Sequence, residues 1–392
     1  MGIKDLKQAI AKYCPENKKQ IKYSELSGKT ITVDTSIYLY KFKYGDNNFL
    51  YRFLKQIEWF YKNDIKLIYV FDGKPPQEKN NIISERRNIK KQKYERKEQI
   101  ESKIIQIDDE LKKNEPDKLK IYSDQKKILK GELKKINNSI INITDKDIQL
   151  LKDLFDICNI QYICANTEAE LICSHLTISH GVFGCLTDDT DVLPNKCINF
   201  LTDYNFKSNF LTVYSYDDVV SGLKMTDDEF IDFCILCGCD YSPKIRNLGY
   251  VTAYKFITKY KSIESILENT TEKYNLSEEF LKKYNFNDAR KIFNNNEYEY
   301  IIENEEEKEI DSERLKTFIT EHSIKINVDT FLVKNSVKKE SKKKDNAKKK
   351  EHIKKKEEVN TNITNFIVKK KSVGTQTDPV PKSVIQPDTH PI

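Results

Sequence analysis

Across 392 residues no apolar run approaches the roughly 20 residues that a membrane-spanning helix requires, which argues against an integral membrane protein. The first residues, MGIKDLKQAIAKYC, hold no long uncharged stretch of the kind that makes a signal peptide. The nine cysteines are odd in number and irregularly spaced, so they do not read as the disulfide framework of a secreted scaffold. Cys234 and Cys237 make one CxxC, with Cys239 beside it, but a second CxxC at zinc-site spacing is missing. Small core residues near the end of an apolar helix are the simpler reading. Histidine is scarce: His175, His180, His322, His352 and His390 lie far in sequence from the acidic loops described next, and none suggests a catalytic role. Net charge is also small, +6 in a chain that is one-third charged, so its distribution matters more than its sum. These absences predict a soluble protein of a reducing intracellular compartment with no membrane partner, the length is enough for a sizeable core, and a monomer is expected.

What the chain does have is acid in unusual places. Asp34 follows TITV, Asp72 follows LIYVF, and Asp189 and Asp191 follow VFGCLTD. In open α/β sheets ligands gather at the carboxyl ends of parallel strands, so three strands ending in Asp suggest carboxylates converging on one crevice. Glu168 and Glu170 in NTEAEL and Asp240 in CGCDY complete a set of seven. Two like charges about 4 Å apart repel by about 4 kcal/mol at an effective dielectric of about 20, which favours protonation or bound divalent cations. Hard oxygen ligands suit Mg²⁺ or Mn²⁺, and those ions point to phosphate chemistry.

Residues 29–40 (KTITVDTSIYLY) and 65–72 (IKLIYVFD) read as buried strands, with an amphipathic helix between them carrying Phe53, Ile57, Phe60 and Tyr61. After the GKPP turn a charged helix begins near Ile82. Ile100, Ile104, Ile107 and Leu111, then Leu129, Leu133, Ile136 and Ile140 beyond the NEPD break, repeat at 4,3,4 spacing, which predicts two helices paired as an antiparallel hairpin. Its lysine-rich outer faces fit either a solvated coiled coil or a nucleic-acid surface, and a second lysine cluster lies at 338–356. The α/β pattern resumes with a helix over 145–158, a strand at IQYICA, a helix from Thr167 and the strand GVFGCL. Thr226 then caps a helix that stops at Gly238, SPKIRNLGY forms a hairpin, and VTAYKFITKY forms a second helix.

Structural duties compete for some of these acids. Asp34 and Asp72 could each cap a helix. Thr167 with Glu170 fits a capping box, whereas Glu168 has no such role. Two glutamates two residues apart can face one place only in the first turn of a helix.

With these residues assembled, the chain resembles the flap endonuclease and XPG-type 5′ nuclease superfamily from Met1 to about residue 334. MGIKDL is similar to its N-terminal motif, and VDTSIYLY, VFDGKPP, NTEAEL, LTDDTDVL and CILCGCDYSPKIRNLG follow in the family's order. The resemblance implies that Asp34, Asp72, Glu168, Glu170, Asp189, Asp191 and Asp240 hold two Mg²⁺ ions, with Mn²⁺ able to substitute. It implies that Lys79 and Arg86 contact the scissile phosphate, with a helix-surface charge as the alternative for each, and that Gly2, Asn247 and Gly249 touch DNA. The family's helix-hairpin-helix also holds a K⁺ ion; where relatives have Gly-x-Gly, this chain has Asn247, Leu248, Gly249, and Asn enters the left-handed region readily. The insertion between Asp72 and Glu168 is longer than in a compact flap endonuclease, and the resemblance implies that it forms the arch or cap through which a single-stranded 5′ end threads. In the tail, NTNITNFIVKKK is similar to a sliding-clamp peptide, with Asn360 in place of the usual Gln and Ile363, Phe366 and Ile367 at matching offsets.

The expected fold is a PIN-like α/β domain with a mostly parallel sheet, a helical arch and a helix-hairpin-helix. The expected division is an N-terminal nuclease region over 1–100, the arch over 74–144, an internal nuclease region over 145–225, a helix-hairpin-helix and helical region over 226–334, and a disordered lysine-rich tail over 335–392. The expected function is Mg²⁺-dependent cleavage of DNA with a 5′ flap or junction, in the nucleus or another intracellular site of replication. An RNA-directed 5′ nuclease and a catalytically silent DNA-junction scaffold are the alternatives.

Overall fold

A computed structural model describes residues 2–44, 48–113, 116–205, 207–274, 276–295 and 310–329. The tail from 335, including Asn360, Ile363, Phe366 and Ile367, lies outside the described residues. Seven strands, β1 (Lys19–Lys22), β2 (Thr30–Asp34), β3 (Lys66–Phe71), β4 (Gln161–Cys164), β5 (Gly184–Leu186), β6 (Asn199–Thr202) and β7 (Phe210–Ser215), form one sheet in the order β1-β7-β6-β5-β2-β3-β4. From β6 to β4 all neighbours are parallel, with Ile31 opposite both Leu67 and Gly184. β7 joins β6 antiparallel and β1 joins β7 antiparallel at the edge. The central strands are apolar because helices cover both faces, as parallel sheets require.

The helices are α1 (Leu6–Tyr13), α2 (Thr35–Lys43), α3 (Phe49–Lys62), α4 (Asn80–Lys112), α5 (Pro116–Ser139), α6 (Asp145–Ile157), α7 (Ala169–Ser179), α8 (Tyr216–Gly222), α9 (Asp227–Cys237), α10 (Tyr250–Tyr260), α11 (Ile263–Tyr274), α12 (Glu278–Lys283), α13 (Phe286–Asn294) and α14 (Ser312–Glu321). Under the sheet, Phe155 of α6 stacks on Tyr69 of β3 with ring centroids 4.2 Å apart, and Phe53 of α3 meets both rings edge-on.

The strand expected over 29–40 ends at Asp34, and TSIYLY is the first part of α2. Its β-branched and aromatic residues suit a strand, but the Asp34 carboxylate accepts a hydrogen bond from the Ile37 N–H at 3.3 Å and starts a helix there. α4 and α5 do pair as the expected antiparallel hairpin: Arg96 reaches Glu132 at 2.9 Å, and Lys126, earlier on α5, reaches Asp108, later on α4. Ile100, between Arg96 and Asp108 along α4, is fully buried. Thr226 caps α9 by a capping box with Glu229, and Gly238 ends it with φ +112°. Cys234, Cys237 and Cys239 are buried in the core. Among the described residues no helix is long and apolar enough to cross a membrane.

Candidate active site

The acids collect where the parallel strands end. Asp34, the last residue of β2, is 3% exposed; besides capping α2 through one oxygen, it accepts the Thr187 hydroxyl at 3.0 Å through the other. Asp72 follows β3, is exposed, and accepts the Ala169 N–H at 2.8 Å, which ties it to the start of α7. The next residue, Gly73, donates its N–H to Thr167 O at 2.6 Å, and a Cβ there would stand 2.2 Å from Ala165 O. Only glycine lets the two loops approach so closely.

Glu168 is the N-cap of α7 and Glu170 lies in its first turn, both buried. Glu168 makes no side-chain capping bond, so the capping box expected of Thr167 and Glu170 does not form and Glu170 is released from that duty. Both glutamates instead meet the ammonium of Lys79, with Glu170 at 3.3 Å. Lys79 is buried at the N-cap of α4 and also lies 3.7 Å from Asp240, whose carboxylate takes Arg86 at 2.6 Å. The arch therefore brings both expected cations to the acids from its base.

The loop after β5 holds Asp188, Asp189 and Asp191 in different ways. Asp188 pairs with Lys41 at 2.9 Å and accepts the Thr202 hydroxyl at 2.9 Å; burial opposes its charge, but these partners hold its carboxyl below the usual range. Asp189 accepts the Asp191 N–H at 3.1 Å. Asp191 is 1% exposed and neither carboxylate oxygen has a hydrogen-bond partner. Gly2, with φ +81°, packs on this loop so tightly that a Cβ would fall 2.0 Å from an Asp189 oxygen.

Burial is the main force on these acids, and their mutual repulsion adds to it. Asp34 is pushed up to about 8 by burial, then by Asp72 and Asp189. Burial raises Glu170 and Asp191 well above the carboxylate range, helped by Glu168 and Asp189 respectively. Burial raises Glu168 and Asp189 less far, because Lys79 and the Tyr241 hydroxyl draw Glu168 back and the Asp191 N–H, with Lys79 behind it, draws Asp189 back. Burial disfavours charge on Lys79, but Glu170 and Glu168 more than reverse this and keep it an ammonium.

All the ligating atoms on offer are carboxylate oxygens, and the two oxygens of Asp191 are buried without partners. That donor set fits hard divalent cations. Among the described residues no three His, Cys, Asp or Glu side chains close round one point as a ready-made ion cage. Lys79 stands among them instead.

Two participants escaped sequence reasoning. The Tyr241 hydroxyl donates to Glu168 at 2.8 Å while its ring lies 5.3 Å beneath the Lys79 ammonium. Thr187 supports Asp34 and receives the Asp189 N–H. Both adjoin acids that were singled out, but nothing in their residue type distinguishes them. Asn247 and Gly249 lie on the loop joining α9 to α10. Asn247 adopts φ +61°, the left-handed turn expected of it, and Gly249 is the N-cap of α10.

Two family descriptions match the chain, the XPG N-terminal domain over residues 1–93 and the XPG I-region over residues 159–240. The matched stretches flank most of the arch and between them contain all the acids above, with Lys79 and Arg86; sheet and acids together define an XPG-type nuclease. A flap endonuclease 1 from Drosophila persimilis is 32% identical over 315 residues, covering 75% of this chain and 73% of that one. At that likeness the chain belongs to the flap endonuclease family. The fold is shared with the catalytic core of Rad2 in complex with DNA substrate, at TM-score 0.54 and 18% identity over 79% of this chain and 92% of that one. It is shared too with human GEN1 in complex with Holliday junction DNA, at TM-score 0.55 and 19% identity over 82% and 73%.

Proposed function

We propose that this protein is a structure-specific 5′ nuclease that hydrolyses phosphodiester bonds where single-stranded DNA meets duplex, releasing 5′ flaps and acting as a 5′ to 3′ exonuclease in replication and repair. The observation that carries this reading is Asp191, a buried carboxylate with two unpartnered oxygens inside a group of acids at the strand ends. A scaffold that only bound DNA would suffer this repulsion without benefit.

Asp34, Asp72, Glu168, Glu170, Asp189, Asp191 and Asp240 are the proposed ligands of Mg²⁺, or of Mn²⁺ in its place. When bound, such ions polarise the phosphate and lower the pKa of an attacking water. The protein's own cations do the rest. Lys79 and Arg86 enter from one helix and oppose the negative charge that grows on the phosphate during in-line attack; being preorganised, they stabilise that state without reorganising. Gly2, beside Asp189, and the turn of Asn247 and Gly249 are proposed to contact the DNA backbone, where such contacts position the duplex without reading sequence. The left-handed Asn247 supports a K⁺ site in the same turn. Regions 1–100, 145–225 and 226–334, with the arch at 74–144, are the proposed working units. A monomer acting in the nucleus or another site of replication, with Asn360, Ile363, Phe366 and Ile367 docking a sliding clamp, completes the proposal.

The test is cleavage by the purified protein, with Mg²⁺, of labelled flap, nicked, blunt, four-way and RNA substrates of matched sequence. Preferred cutting of the 5′ flap is expected. Preference for RNA, or binding without cleavage in either Mg²⁺ or Mn²⁺, overturns the proposal.

A further inference from the structure

We infer that Tyr241 is a positioning residue that sets two parts of the site at once: its hydroxyl orients the Glu168 carboxylate for a divalent ion, and its ring seats the Lys79 ammonium that faces the phosphate. The inference rests on the nuclease reading above. Tyr241 is 2% exposed and directly follows Asp240. Its O–H donates to Glu168 Oε2 at 2.8 Å, while the other oxygen of that carboxylate meets Lys79. Its ring lies 5.3 Å under Lys79 Nζ, within cation–π range, and its edge is braced by Phe293 of α13 at 5.3 Å. One rigid side chain thus adds a second fixed contact to a carboxylate that otherwise meets only Lys79, and an aromatic platform to a lysine that otherwise meets only carboxylates. Partners that fix a ligand's orientation are worth roughly 10- to 100-fold in metal affinity. A flexible lysine without a platform opposes the phosphate less effectively.

Two substitutions separate the halves. Tyr241→Phe removes one oxygen and keeps the ring; Tyr241→Leu removes both. Each full-length variant is titrated calorimetrically with Mn²⁺, and its single-turnover rate on a 5′ flap is followed as a function of Mn²⁺ concentration. Tyr241→Phe is expected to bind Mn²⁺ roughly 10- to 100-fold more weakly and to need correspondingly more of it, with a far smaller loss of rate at saturation. Tyr241→Leu is expected to lose Mn²⁺ affinity similarly and, in addition, roughly 10² in saturating rate. If Tyr241→Leu does not fold, Tyr241→Phe carries the test alone. Wild-type Mn²⁺ affinity in Tyr241→Phe, even with a lowered melting temperature, reduces the residue to packing and overturns the inference. A wild-type protein that takes up no Mn²⁺ overturns the nuclease reading itself, so the two failures are told apart.

Discussion

Asp191 and Asp232 are both almost fully buried acids, 1% and 3% exposed, yet they are treated in opposite ways. Asp232, on α9, receives both Nε and an Nη of Arg290 at 2.6 Å and the Ile263 N–H at 3.0 Å. Arg290 also grips Glu264 at 2.6 and 2.8 Å, so one guanidinium pins α9, α11 and α13 together. That fork is bidentate, always charged and fixed in direction. Asp191 has no hydrogen-bond donor at all, and the lysine that acts on its charge, Lys79, is a single point charge shared among Glu168, Glu170 and Asp240. Burial alone therefore does not mark a functional acid. What separates architecture from chemistry is whether the partner is matched and fixed or shared and exchangeable.

The comparison predicts effects of different kind as well as size. Asp191→Ala should reduce flap cleavage below detection in a single-turnover assay and abolish the rise in melting temperature on adding Mg²⁺, while junction binding stays within several-fold; retained turnover would mean the unpartnered acid is not a ligand. Arg290→Met should do the reverse. It leaves Asp232 buried and uncompensated, costing about 3 kcal/mol of stability by denaturant unfolding, with cleavage intact well below the melting temperature. A stable Arg290→Met would break the distinction from the structural side. Lys79→Met should slow single-turnover cleavage by roughly 10² at saturating Mg²⁺, with a melting temperature in Mg²⁺ close to that of the wild type.

The smallest effect sharpens the matched side. Arg290 is the main force holding the Glu264 carboxyl at about 2, below its usual 4.5. A depressed carboxyl gives stability that is present above the unfolded value and lost as pH falls through the folded one. Wild type should therefore lose stability relative to Glu264→Gln between about pH 4.5 and 2, and the two should run parallel above pH 6. Because Glu264 is half-exposed, solvent screening keeps the difference to under about 1 kcal/mol. Parallel denaturation curves across the acid range would show that Glu264 adds nothing to the clamp.

The strand-end acids were legible because their signal is local: an apolar β run closing on Asp has few structural explanations, and the chain repeats it at Asp34, Asp72 and Asp189. Where a local signal served two purposes, reading failed. Asp34 is both a proposed ligand and a helix cap, and although the cap was open to it, the β-branched and aromatic residues of TSIYLY extended the strand six residues too far. β1 went unseen because Lys19–Lys22 is an exposed edge with no apolar alternation, its lysines suiting an edge that must not recruit another chain. The Asp232–Arg290 clamp spans 58 residues and the Tyr241–Glu168 bond 73, and no period or spacing encodes a meeting made by tertiary packing.

The arch has a mechanical meaning. Lys79 stands at the N-terminal end of its first helix, Arg86 lies less than two turns along, and α4 runs on for 33 residues, about 50 Å. For a rod of that length a tilt of about 5° about its base would carry the far end roughly 4 Å yet leave Lys79 almost where it was. Length at the tip and charge at the base are thus geometrically separate, and a longer, shorter or tilted distal hairpin would leave Lys79 and Arg86 nearly in place.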